Sequence, residues 1–73
     1  MTQTAAKRST THLTPREREV VTLLAEGYSY AQIAGQLGIS ENTLKTHIKR
    51  IYSKLKVHNR TQAVLSAQRQ SLI

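Results

Sequence analysis

From Glu41 to Leu55 the chain reads ENTLKTHIKRIYSKL, with Leu44, Ile48, Ile51 and Leu55 at steps of four, three and four and no Gly or Pro to interrupt them. On a helical wheel at about 100° per residue Ile48, Ile51 and Leu55 all fall within about 40° of Leu44. That spacing predicts a helix from Glu41 to about Lys56, buried along one narrow stripe. Asn42, Lys45, Thr46, Lys49 and Ser53 land at roughly 100° to 200° from Leu44, and Thr43, Arg50 and Lys54 near 240° to 280°. Over residues 41–56 five bases, Lys56 included, face one acid, Glu41. The helix therefore has one face for a core and the rest for hydrogen-bond donors.

What precedes it restricts the fold further. Ser29 with Gln32 three places on is a capping signal, and Ile33, Ala34 and Leu37 give a short helix its apolar face. Gly38 allows the left-handed conformation that stops that helix, and Ser40 restarts the chain as the cap of the next. Two helices joined by a glycine turn, with apolar Ile39 tucked into it, describe a helix-turn-helix. Gly35, inside the first of them, costs about 1 kcal/mol relative to Ala; either tight packing demands it or the cost is tolerated.

The flanks supply two more helices. LTPRERE is a start signal: Thr14 caps, Pro15 suits the first helical position, Glu17 completes a capping box, and Gly27 stops the helix just beyond Glu26. HNRTQAV opens a fourth helix with Asn59 as cap, which carries Ala63, Val64 and Ala67 to a ragged end near Gln70. Residues 1–12, MTQTAAKRSTTH, are polar without an apolar period and are expected to be a flexible tail or linker, with the domain at 13–73. The expected architecture is an all-α four-helix bundle containing a helix-turn-helix.

Composition narrows the function. Eleven Lys and Arg against four Glu leave a net charge of +7, and beyond position 42 every charged residue is a base. Such a surface favours polyanions. With no Cys there is no disulfide framework and no thiolate chemistry, and with no Asp there is no phospho-accepting aspartate. No apolar run approaches the roughly 18 residues of a membrane span. These features lead us to expect a soluble, cytoplasmic, nucleoid-associated chain without membrane contact.

A basic helix anchored by one apolar stripe fits a DNA major groove. On that reading Lys45, Thr46 and Lys49 meet base edges: Lys donates to guanine O6 and N7, and the Thr methyl touches a thymine methyl. Thr43, Arg50 and Lys54 grip phosphates, joined by Ser40, Asn42 and the free amides at the helix start. Tyr30 either reaches a phosphate or packs on the third helix. On the fourth helix Gln62, Leu65 and Arg69 project away from the core positions and suggest a weak homodimer seam, formed on DNA. No His has a partner at metal-ligand spacing, so no metal is expected, and no cofactor. Glu17 and Glu19 are explained by helix-start preferences rather than by paired-carboxylate catalysis, so no enzyme is expected.

From residue 13 to 64 the sequence resembles the LuxR or GerE type helix-turn-helix domain of bacterial transcription regulators. The likeness rests on LTPRERE, IAGQLGIS, TLKTHIKRIYSKL and KVHNRTQAV. It implies four helices with the third in the major groove and the fourth at the dimer contact. It implies base contacts from Lys45, Thr46 and Lys49 and backbone contacts from Thr43 and Lys54. One departure is Ser29-Tyr30, where the family more often has Ser-Asn; Tyr there is familiar from region 4 of sigma factors, which would bring RNA polymerase in as a partner. The tail KLKVHNRTQAV favours the regulator family. Members usually carry an N-terminal sensing or receiver domain, so this chain is expected to be an output domain or a regulator made of the binding domain alone.

Overall fold

The computed structural model describes residues 12–73; the tail expected at 1–12 lies outside them but for His12. Four helices follow in order, α1 Pro15–Ala25, α2 Tyr30–Leu37, α3 Glu41–Leu55 and α4 Arg60–Arg69, with no strand among the described residues. This is the all-α arrangement that the periodicity predicts.

Each helix starts in the same way. A polar side chain just before it accepts the backbone N–H three residues on: Thr14 from Glu17, Ser29 from Gln32, Ser40 from Thr43 and Asn59 from Gln62. At α1 and α2 the Glu17 and Gln32 side chains return the bond to the cap's own N–H, completing the boxes. At α4 the Gln62 oxygen reaches one residue further back and accepts from the His58 N–H at 3.0 Å.

The ends share a device as well, which the sequence showed in only half of the cases. After each helix one residue turns left-handed, and the N–H of the next bonds the carbonyl five residues back: Tyr28 to Leu23, Ile39 to Ala34, Val57 to Tyr52 and Leu72 to Ala67. The left-handed residues are Gly27, Gly38, Lys56 and Ser71. Lys56, at φ 57°, therefore caps α3 from outside rather than extending it, and α4 closes on an ordered turn at Ser71 rather than fraying near Gln70. Ile39, Val57 and Leu72 lie against the core as plugs at these turns.

The core gathers the predicted stripe, Leu44, Ile48, Ile51 and Leu55, with Val20, Val21 and Leu24 of α1, Ile33 and Ala34 of α2, and Ala63 and Ala67 of α4. Helix α2 packs chiefly on α3, while α1 lies across both α3 and α4. Beside Gly35 there is open space where a Cβ would go, so tight packing is not what requires glycine there.

Candidate nucleic-acid interface

Helix α3 is docked chiefly by its apolar stripe. Leu44 and Ile51 are fully buried, Ile48 and Leu55 nearly so, and Asn42, Thr43, Lys45, Thr46, Lys49, Arg50 and Ser53 are all exposed. Lys45, Lys49 and Arg50 make no ion pair with protein among the described residues. Three cations thus stand on one rod with their charge uncompensated.

The hydroxyls at the start of this rod are already oriented. Ser40 Oγ accepts the Thr43 N–H at 3.0 Å and donates to Thr43 Oγ1 at 3.0 Å, so its proton is engaged within the cap and the Thr43 proton is left to point elsewhere. Thr46 Oγ1 donates to the Asn42 carbonyl at 3.2 Å.

Lys54 sits differently from the other α3 bases. Its Nζ lies 2.7 Å from Oε1 of Glu17, whose side chain is only 4 % exposed. Burial by itself raises a carboxyl; here the Lys54 ammonium and the Thr14 N–H outweigh it and hold Glu17 below its ordinary value. The sequence accounted for Glu17 by capping, which is correct, but not by this pair, because residues 37 apart carry no local signal of contact.

Arg60 is a second base used inside the protein. Its Nη2 donates to the carbonyls of Leu24 at 2.9 Å and Tyr28 at 2.7 Å, closing the C-terminal end of α1. Sequence reasoning counted it only as charge. A signal was available: Arg60 is the first residue of α4, where the helix dipole disfavours a cation, so a base there suggests a partner elsewhere.

Tyr30 is half-buried and packs against the core beside Tyr52 of α3. Burial and the neighbouring Tyr30 hydroxyl push the Tyr52 phenol up to about 12, partly opposed by Arg60. His47 is half-buried at the edge of the stripe. On α4, Gln62 and Arg69 are exposed, as is Leu65 at 49 %, and the three line one shallow depression with Lys56, Val57 and His58. Among the described residues no cluster of potential metal ligands occurs, and no helix is long and apolar enough to cross a membrane.

Comparison with known proteins agrees with this geometry. Residues 11–67 match the model of the bacterial regulatory proteins of the luxR family. The response regulator protein VraR of Staphylococcus aureus is 49 % identical over 61 residues, an alignment covering 84 % of this chain and 29 % of VraR. The chain thus spans under a third of the length of that curated relative. Among solved structures, the response regulator ChrA of a heme-sensing two-component system superposes with a TM-score of 0.83 at 45 % identity, over 94 % of this chain and 33 % of ChrA. The transcription factor GerE gives a TM-score of 0.78 at 45 % identity, over 82 % of this chain and 90 % of GerE. The chain belongs to the luxR family of bacterial regulatory proteins, a family of DNA-binding transcription regulators and not of enzymes.

Proposed function

We propose that this chain binds double-stranded DNA in a sequence-specific way, as the output domain of a bacterial transcription regulator, with α3 in the major groove. The observation that carries the reading is the outer side of α3: Lys45, Lys49 and Arg50 exposed and without an acidic partner among the described residues, on a rod whose opposite side is fully committed to the core. Lys45 and Lys49 donate to base edges and the Thr46 methyl meets a thymine methyl. Asn42, Thr43, Arg50 and Lys54 track the phosphates, with the α3 amides near Ser40. Tyr30, though packed on α3, keeps its place at the start of α2 as a phosphate contact.

The domain is residues 13–73, and its place is the bacterial cytoplasm, on the nucleoid. Two copies meet on DNA through Gln62, Leu65 and Arg69, a reading supported by the exposure of Leu65. Half-sites about one helical turn apart follow from such a dimer. The test of the whole is a titration of matched and single-mismatch duplexes enriched from a random pool by this domain. Lys49→Ala is expected to relax the preference at one base pair, and Lys54→Ala to weaken every duplex alike with a shallower salt dependence. Unchanged binding in both variants would reject the assignment of α3. Sedimentation that finds one chain per duplex at saturation would reject the dimer.

A further inference from the structure

We propose that Glu17, a buried acid that does not itself reach the duplex, strengthens DNA binding by holding the Lys54 ammonium in place for a phosphate. The inference rests on the proposed phosphate contact of Lys54 and makes Glu17 a positioning residue for it. Glu17 Oε1 is fixed twice, by the Thr14 N–H at 2.9 Å and by Lys54 Nζ at 2.7 Å, at the rigid start of α1. One of the three ammonium donors is thereby engaged, and two remain. The Lys54 side chain is 38 % exposed, which leaves it room for a further partner.

Their direction is set by the helix. Thr43, Arg50 and Lys54 share one flank of α3 over roughly 16 Å of its length, a row of donors along one edge of the rod. A free lysine carries a flexible four-carbon stem and loses much rotamer freedom when it grips a phosphate. In this protein Glu17 has removed that freedom before DNA arrives.

Charge counting predicts the opposite of positioning, which makes the inference testable by sign. Glu17→Gln keeps an acceptor for the Thr14 N–H but removes one negative charge from the protein, and on charge alone it should tighten binding to a polyanion. If Glu17 positions Lys54, the same change weakens binding instead. The expected result, in a titration against the enriched duplex and a scrambled duplex across a salt series, is about threefold weaker binding to both, with a salt slope shallower by up to about 0.9. In a Lys54→Ala background Glu17→Gln should produce no further weakening.

Equal or tighter binding by Glu17→Gln overturns the inference while leaving the Lys54 contact standing, provided Lys54→Ala alone weakens binding. If Lys54→Ala changes neither affinity nor slope, the contact and the inference both fail. Thermal melts identify the range in which each variant is folded. Should Glu17→Gln not fold, the carboxyl carbon resonance of Glu17 in the unsubstituted chain decides: unmoved on adding duplex, it supports a retained pair; shifted as for a carboxylate that has lost its cation, it overturns the proposal.

Discussion

Of the seven bases that follow position 42, five fall into two groups that the molecule uses differently. Lys54 and Arg60 are bonded to the two ends of α1, one through the Glu17 carboxylate and the other through the carbonyls of Leu24 and Tyr28, although the Lys54 side chain stays 38 % exposed. Lys45, Lys49 and Arg50 turn outward and meet no acid among the described residues. The same residue types, a few positions apart, are already bonded to protein in one place and have no acidic partner among the described residues in the other. Net charge alone therefore does not tell a base that also fastens the fold from one that does not, and a bond to α1 is what separates the two groups.

The sharpest division should appear at Arg60. Arg60→Ala removes two charge-assisted bonds to the end of α1, and a loss of about 2 kcal/mol in unfolding free energy is expected by denaturant titration. DNA affinity well below the melting temperature should stay within twofold. Lys49→Ala should reverse that pattern, with stability unchanged within about 0.5 kcal/mol and affinity for the preferred duplex about tenfold lower. A destabilised Lys49→Ala, or an Arg60→Ala that loses affinity first, would dissolve the distinction.

Next in size is the response to acid and alkali. Glu17 is held below its ordinary value of 4.5, so its pair with Lys54 stabilises the fold above that value and the stability is lost as pH falls below it. Glu17→Gln should flatten this part of a melting-temperature profile. Tyr52 works in the opposite direction: raised to about 12, it favours the fold below pH 10 and its contribution is lost between pH 10 and about 12. Tyr52→Phe should remove that alkaline slope. The smallest effect is expected at Arg50, where Ala should lower affinity for all duplexes alike and reduce the salt slope by about 0.9; a change in base preference would move Arg50 into the group that meets base edges.

Most of the fold was legible because the signals for it are local. Thr14, Ser29, Ser40 and Asn59 each cap a helix where the sequence placed one, and Leu44, Ile48, Ile51 and Leu55 are the buried stripe that their spacing predicted. Gly27 and Gly38 marked two helix ends for the same reason. Lys56 and Ser71 did not, since a left-handed residue with a side chain is chosen by the plug that follows it, Val57 or Leu72, and not by its own propensity. For the interface, the wheel correctly assigned exposure to Lys45, Thr46 and Lys49. It could not show that Thr46 bonds Asn42 or that Ser40 and Thr43 engage one another, because both depend on rotamers. The bonds of Lys54 and Arg60 to α1 were hidden for a plainer reason, that their partners are 32 to 37 residues away.

The paired devices at the helix boundaries also bear on how the chain reaches this shape. Every reversal of direction is closed by hydrogen bonds spanning at most five residues, so each turn is specified before any distant contact exists. Helical domains built from such short-range closures collapse in microseconds to milliseconds. The fasteners of α1 join residues 32 to 37 positions apart and form only once α3 and α4 are in place, so they are expected to be contacts made late in folding. Arg60→Ala should accordingly accelerate unfolding in stopped-flow measurements while barely slowing refolding.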